Sequence, residues 1–136
     1  MSSIVDTPVW SLALRRPQGK LSESERNIVA LLQELIRDGR VLMPGVIRQE
    51  LLSGIALPRE FERIRGLLSA FPDLAVTMLD HERAAQMSNA CRGKGVQGSL
   101  VDYLICSLSE RYEAAILSTD RDFERYAEVL DLRLGV

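Results

Sequence analysis

The sequence contains few of the residues from which most small zinc or disulfide sites are built. Its 136 residues include one histidine, His81, and two cysteines, Cys91 and Cys106. The cysteines are far apart in the chain and form no C-x-x-C pair, which disfavours both a Cys/His zinc site and a disulfide scaffold. We therefore expect the cysteines to pack in the interior and His81 to face solvent.

Long hydrophobic runs and a strong excess of basic charge are also missing. No apolar run approaches the ~18 residues that span a bilayer. The N-terminal segment MSSIVDTPVW has neither a basic region nor a long apolar stretch, so we expect a cytoplasmic protein without membrane contact. The 17 basic and 19 acidic residues give a formal net charge of -2, which counts against a strongly basic nucleic-acid binder. A cation bound by several of the acids would nevertheless leave a small basic surplus for a phosphate backbone.

Aromatic residues make up 5% of the chain, too few for an extended base-stacking surface. Trp10, on a predicted helix, is expected in the core or at an interface. Hydrophobic residues make up 46%, which is typical of a packed globular protein, and the length fits one domain over residues 1–136. The amphipathic segments at 57–70 and around Trp10 are candidates for a protein interface.

Short apolar segments alternate with amphipathic helical ones along the chain. Helices are predicted after Asp6, from Ser22 with Glu25 in a capping box, after Pro44, after Pro58, from an Asp80 cap to about Arg92, from Ser99 and from about Arg121. Strands are predicted at 2–6, 40–43, 74–79, 115–118 and 130–134. This alternation predicts an α/β fold, with a central, mostly parallel sheet of about five strands between two helical layers.

Acidic residues stand at the points where such a sheet binds ligands. Asp6 and Asp120 follow predicted strands, Asp102 lies in the first turn of the helix before the Asp120 strand, and Glu50 and Asp122 are further candidates. Ligands of parallel sheets bind beyond the carboxyl ends of the strands. Several carboxylates there repel one another unless a cation lies between them, and an all-oxygen site suits Mg²⁺ or Mn²⁺.

Each acid also has a structural explanation of its own. Ser99-x-x-Asp102 matches a helix-capping pattern, Asp120 and Asp122 suit a helix start with Thr119 as another cap, and Glu50 suits a solvated helix face. Asp6 is harder to explain in this way, because a carboxylate at the end of an interior strand needs a partner. The conjunction of the acids favours a metal site over independent caps.

Four segments in order resemble the PIN domain, and more narrowly the toxin ribonucleases of the VapBC type. They are IVDT from Ile4, RQELLSG from Arg48, RGKG from Arg92 leading to SLVD from Ser99, and LSTDRDF from Leu117. Two positions depart from the usual pattern. Pro8 replaces the small polar residue common after Asp-Thr, and Cys106 stands where alanine is common in the helix after Asp102.

The resemblance implies a three-layer PIN-like fold and a metal-dependent endoribonuclease that acts as the toxin of a type II toxin–antitoxin pair. By this resemblance Asp6, Glu50, Asp102 and Asp120 are catalytic and bind Mg²⁺ or Mn²⁺, Asp122 is an accessory ligand, and Thr7 supports the first acid. The implied partners are an RNA substrate, a VapB-like antitoxin and a second copy of the chain in a homodimer. Arg92, Lys94 and Arg121 are candidates for RNA contacts.

Three alternatives were compared with this interpretation. A haloacid dehalogenase-type phosphatase needs an acid two residues after the first aspartate, where Pro8 stands, and a phospho-receiver domain needs a late lysine, but Lys94 is the last in the chain. Both are disfavoured. The remaining alternative is a catalytically silent binding or regulatory protein that keeps the PIN fold.

Overall fold

The chain forms a four-stranded, wholly parallel sheet in the order β3-β2-β1-β4. The structure, a computed structural model, describes residues 1–135. The strands in that range are β1 (Ser3–Val5), β2 (Val41–Pro44), β3 (Asp73–Leu74) and β4 (Ala115–Leu117). The helices in that range are α1 (Thr7–Leu14), α2 (Glu23–Arg37), α3 (Gly45–Leu52), α4 (Pro58–Leu68), α5 (Met78–Gly93), α6 (Leu100–Tyr112) and α7 (Asp122–Ala127), with a 3₁₀ turn at Gln18–Lys20.

The strand order reverses next to β1. The chain runs outward from β1 through β2 to β3, and then crosses to β4 on the other side of β1. Right-handed crossovers place α1 to α4 on one face and α5 and α6 on the other, because the direction of travel reverses. This arrangement confirms the predicted three-layer α/β/α fold. The crevice between the carboxyl ends of β1 and β4 is the point where ligands bind in such sheets.

The interior is built from the strands and one face of each helix. Ile4 and Val5 of β1 are fully buried, and so are the two cysteines, as expected. Trp10 of α1 is buried too: its indole N–H donates to the Val5 carbonyl at 3.1 Å, and its ring meets Phe71 edge-on. Trp10 is therefore a core residue.

Local signals explain why the best-predicted helix starts where it does. The Ser22 hydroxyl accepts from the Glu25 N–H at 3.2 Å, and the Glu25 carboxylate accepts from the Ser22 N–H at 2.9 Å. This reciprocal capping box satisfies donors that the first helical turn leaves unpaired. The α2 prediction is confirmed, and the helices after Asp6, Pro44 and Pro58 also lie where the sequence places them.

The strand predicted at 74–79 is wrong over most of its length. β3 ends at Leu74 and α5 begins at Met78, with Thr77 rather than Asp80 at the N-cap. The Asp80 side chain instead accepts from the Thr77 N–H at 2.8 Å, from the Thr77 hydroxyl and from Arg111. A buried aspartate with three donors fixes the first turn of α5 three residues earlier than the sequence pattern indicates.

The strand predicted at 130–134 is also wrong within the described residues. It is reduced to one parallel bridge, Ile116 to Leu134, flanked by backbone bonds from Ile116 to Arg133 and from Gly135 to Ile116. The segment thus touches the outer edge of β4 without forming a fifth strand. No helix in residues 1–135 is both long and apolar enough for a membrane span.

Candidate metal centre

Asp6 ends β1 and begins α1 at the reversal point of the sheet. As the N-cap of α1, its Oδ1 accepts from the Thr7 N–H at 2.9 Å, and its Oδ2 accepts from the Ser118 hydroxyl at 2.7 Å. The residue is only 5% exposed. Burial raises the pKa of Asp6; the bonds from Ser118 and Thr7 oppose this, while the charges of Asp102 and Glu50 add to it, and the net shift is upward.

The loop after β4 carries the last two acids of the site. The Asp120 N–H donates to the Ser118 hydroxyl at 2.9 Å, and the Asp122 N–H donates to Asp120 Oδ1 at 2.9 Å. Asp122 is the first residue of α7. Ser118 thereby connects Asp6, the acid after β1, with Asp120, the acid after β4. At the start of α7 the hydrogen bond from the Asp122 N–H goes to the Asp120 carboxylate and not to Thr119.

Asp102 enters the site from the first turn of α6. Its backbone N–H donates to the Ser99 hydroxyl at 3.0 Å, so the capping pattern in the sequence is real and also orients an acid of the site. Asp102 Oδ2 accepts from the Tyr126 hydroxyl at 2.6 Å. Burial raises the pKa of Asp102, the Tyr126 and Ser99 hydroxyls oppose it, and the charges of Asp120 and Asp122 raise it further, so the net shift is upward.

The Tyr126 hydroxyl remains protonated near neutral pH. Burial, the bond to Asp102 and the charges of Asp102 and Asp122 all raise the pKa of Tyr126 well above its ordinary value. The phenol is therefore a permanent hydrogen-bond donor to the carboxylate.

Glu50 reaches the site from α3. Its Oε1 accepts from the Thr7 hydroxyl at 2.8 Å, which places the predicted supporting residue between two acids. Arg48, two residues earlier in α3, donates to the carbonyls of Leu68 and Phe71 and pairs with Asp73 at 3.1 Å. These bonds join α3 to the segment between α4 and β3, and so fix the helix that carries Glu50.

The acids converge on one cleft. Asp6, Glu50, Asp102 and Asp120 all line a cleft of about 340 Å³, together with Thr7, Pro8 and Ser11. One carboxylate oxygen from each of Asp102, Asp120 and Asp122 lies within 4.8 Å of the others. Asp6 and Glu50 border this triad, each already holding a hydrogen bond from a neighbour.

The donor set fits a hard divalent cation. Every candidate ligand is a carboxylate oxygen, which Mg²⁺ and Mn²⁺ prefer, and among residues 1–135 no histidine or thiolate lines the cleft. Burial is the main cause of the raised pKa values of Asp6 and Asp102, and repulsion from the neighbouring acids adds to it in the metal-free chain. A cation among them relieves that repulsion.

The cleft continues along α1. A second cavity of about 570 Å³ shares Pro8 and Ser11 with it and extends to Arg16 and to the start of α2 at Ser24 and Glu25. Thr119, the neighbour of Asp120, lines this second cavity as well. The acidic site therefore opens into a longer groove.

The other predicted polar residues lie around the site rather than in it. Arg92 lines a separate cavity with Gln97 and Gly98, Lys94 ends α5, and Arg121 lines a small cavity beside Asp120 and lies 3.8 Å from Glu124. All three are exposed, and so is His81. Their contact with RNA stays a prediction.

Sequence reasoning missed two residues that hold the acids, Ser118 and Tyr126. Ser118 stands two positions before Asp120 at the end of a strand, where a hydroxyl among acids is a recognisable signal. Tyr126 occupies a buried position of α7, where the sequence pattern indicates only core packing.

Comparison with known proteins agrees with the fold. The PIN domain family model matches residues 3–129. Ribonuclease VapC11 of Mycobacterium tuberculosis and VapC ribonuclease Mb1587 of Mycobacterium bovis are each 30% identical to this chain over 132 residues, covering 96% of this chain and 95% of theirs.

Solved structures share the fold at lower identity. FitAcB from Neisseria gonorrhoeae has a TM-score of 0.75 at 17% identity, covering 97% of this chain and 95% of that one. VapBC2 from Rickettsia felis, bound to a DNA fragment from its promoter, has a TM-score of 0.73 at 16% identity, covering 99% and 98%. With nearly the whole length matched by the family model and by relatives at 30% identity, the chain belongs to the PIN domain family.

Proposed function

We propose that this chain is a metal-dependent endoribonuclease and the toxin of a type II toxin–antitoxin pair, with residues 1–136 forming a single PIN domain. The observation that carries the proposal is the close approach of Asp102, Asp120 and Asp122, within 4.8 Å, where Asp102 and Asp120 line a cleft together with Asp6 and Glu50. The ribonuclease names of relatives at 30% identity support the substrate class.

Asp102, Asp120 and Asp122 are the proposed ligands of Mg²⁺ or Mn²⁺, with Asp6 and Glu50 completing the coordination directly or through water. When bound, such an ion lowers the pKa of a water molecule and stabilises charge on a phosphodiester and its leaving oxygen. Phosphodiester hydrolysis thus needs no histidine in this cleft, which agrees with the exposed position of His81.

The chain's own residues position the reacting groups. Ser118 and the Thr7 N–H hold both oxygens of Asp6, so that the carboxylate cannot rotate freely. Glu50 keeps one oxygen on the Thr7 hydroxyl and leaves the other, Oε2, to accept a proton from water near the scissile phosphate. We propose that Asp6, Glu50, Asp102 and Asp120 all contact the reacting centre.

The groove along α1 gives a single RNA strand a path away from the acids. It leads to Arg16, and the loop between α1 and α2 carries Arg15 and Lys20 as further cations. Guanidinium and ammonium groups at this end match the charge of a phosphate backbone. Arg92, Lys94 and Arg121 remain candidates for contacts on the other sides of the cleft.

A protein partner and a second copy of the chain belong to the same proposal. Solved structures with this fold include the complexes VapBC2 and FitAB, each bound to DNA, which supports a VapB-like antitoxin as the partner. Leu57 and Leu67 of the α4 region are exposed apolar residues and are candidates for an interface in a homodimer or with the antitoxin. We propose that the complex acts in the cytoplasm.

The test is cleavage of a structured RNA by the purified chain in Mg²⁺, in Mn²⁺ and in EDTA. We expect cleavage with either metal and none in EDTA, and we expect Asp102→Asn and Asp120→Asn to lose activity by at least ~10²-fold while keeping the fold. Asp131→Asn, an exposed acid outside the cleft, is the matched control and is expected to cleave normally. Metal binding without cleavage of any RNA would favour the silent, regulatory alternative.

A further inference from the structure

Tyr126 lies behind the acidic cleft and contacts Asp102 from the interior. Its hydroxyl donates to Asp102 Oδ2 at 2.6 Å, and the residue has no exposed surface. A carboxylate that accepts a hydrogen bond through Oδ2 still has Oδ1 for a cation. The contact therefore restrains the rotation of the Asp102 carboxylate beside Asp120 and Asp122.

The phenol ring is held on several sides. Its centroid lies 5.2 Å from the ring of Tyr103 and 5.4 Å from the ring of Phe123, the latter at an interplanar angle of 87°. Aromatic contacts of this kind fix the ring as well as burying it. The hydroxyl cannot leave Asp102 without moving two other buried aromatic residues.

Gly98 closes the remaining side of the phenol. A Cβ atom at position 98 would lie 2.3 Å from the Tyr126 hydroxyl oxygen and 2.6 Å from Cζ, closer than any real contact. The residue must therefore be glycine for the loop to pass over the ring. Because Ser99 follows directly and caps the helix that carries Asp102, the loop, the phenol and the carboxylate form one rigid unit.

We propose that Tyr126 is a positioning residue of the metal site, which presents Asp102 to the cation in the geometry it needs and thereby sets the affinity for that cation. The proposal rests on the proposed metal site and adds a residue to it. Hydrogen bonds from outside the ligand shell typically change metal affinity by 10- to 100-fold. Tyr126 itself touches neither metal nor RNA in this account.

The test compares Mn²⁺ binding to the wild-type chain, Tyr126→Phe and Tyr103→Phe, measured by titration calorimetry and by the loss of the free Mn²⁺ electron spin resonance signal. Tyr103 is the matched control, because its equally buried ring packs in the same cluster but its hydroxyl points to the Val96 carbonyl at 3.5 Å and not to an acid. Melting temperatures in EDTA check that both variants fold.

We expect Tyr126→Phe to bind Mn²⁺ 10- to 100-fold more weakly and Tyr103→Phe to bind it within about twofold of wild type. Gly98→Ala, which displaces the phenol, should weaken binding in the same direction. Wild-type affinity in Tyr126→Phe would overturn the inference and leave the proposed function intact, whereas a wild-type chain that binds no Mn²⁺ would overturn both. Equal losses in the two phenylalanine variants would assign the effect to packing and also overturn it.

Discussion

The Ser118 hydroxyl donates to Asp6 Oδ2 at 2.7 Å across 112 positions of the chain. The Ser118 hydroxyl oxygen also accepts a hydrogen bond from the Asp120 N–H at 2.9 Å, so one serine connects the acids that follow the two adjacent strands β1 and β4. The strands bring the acids to one edge of the sheet, and the hydroxyl fixes their orientation there.

Replacing Ser118 by alanine should weaken the site more than the fold. Asp6 loses a donor that stabilises its charged form, so its pKa should rise further and its hold on a cation should weaken. We expect cleavage to fall by about 10- to 100-fold and metal affinity to fall with it. Ser69→Ala, an exposed serine at the end of α4 and outside the cleft, is the control and should leave both unchanged; equal effects of the two substitutions would contradict this role of Ser118.

The metal-free chain should become more stable as the pH falls from neutral. The folded-state pKa values of Asp6 and Asp102 are raised, so between the ordinary aspartate pKa and those raised values the folded state binds more protons than the unfolded state. Stability therefore falls as the pH rises through that window. Denaturant titrations in EDTA at several pH values measure this, and saturating Mg²⁺ should flatten the dependence.

Asp6→Asn should accordingly stabilise the metal-free chain near neutral pH by about 1 kcal/mol, while abolishing cleavage. Asparagine is as good an N-cap as aspartate, so α1 keeps its start, and the substitution removes a charge that burial, and to a lesser degree the neighbouring acids, destabilise. Urea unfolding in EDTA gives the comparison. A large loss of stability would show that the Asp6 charge supports the fold and that the acids do not oppose it.

Gly98→Ala should destabilise the chain by about 1–3 kcal/mol, because the new methyl group would overlap the buried Tyr126 phenol. Gly66→Ala is the control. Gly66 lies inside α4 with open space around it, so alanine should stabilise that helix by up to about 1 kcal/mol. Opposite signs in chemical denaturation are the expected outcome, and a neutral Gly98→Ala would contradict the close packing of the loop on the ring.

The Asp80–Arg111 pair should make the fold sensitive to acid. Burial raises the pKa of Asp80, but the bonds from Thr77 and the charge of Arg111 outweigh it and the pKa lies below its ordinary value. A carboxyl group whose pKa is lower in the folded state stabilises the fold at pH values above its pKa in the unfolded chain, which is near 3.8 for aspartate. That stabilisation is lost as the pH falls through its pKa in the folded chain. Arg111→Met should make the free energy of unfolding depend much less on pH below about pH 4. Denaturant titrations at several pH values in that range measure this.

Local patterns were sufficient for much of the fold. Residues close together in the sequence identify the Ser22–Glu25 capping box, the Ser99 cap and the apolar runs of β1, β2 and β4. All of these features lie where the sequence predicts them. The approach of the acids followed from the rule that parallel strands end at one edge. The sequence predicts Asp122 only as an accessory ligand, but its carboxylate lies within 4.8 Å of those of Asp102 and Asp120.

Most of the errors have non-local causes. The start of α5 is an exception, because the local Thr77–Asp80 capping box fixes it and Arg111, 31 positions from Asp80, only adds to that bond. The last apolar segment meets β4 at one bridge because only Leu134 comes into register. Ser118 and Tyr126 hold acids 112 and 24 positions away. Such contacts exist only after the sheet forms, so no window of neighbouring residues reveals them.

The central claim is that Asp102, Asp120 and Asp122 share a divalent cation beside Asp6 and Glu50. Diffraction from crystals soaked in Mn²⁺, recorded at a wavelength where manganese scatters anomalously, locates the ion directly. The account predicts an anomalous peak in the cleft within about 2.2 Å of oxygens from that triad. A fully soaked crystal with no peak in the cleft, or with its only strong peak elsewhere on the chain, would contradict it.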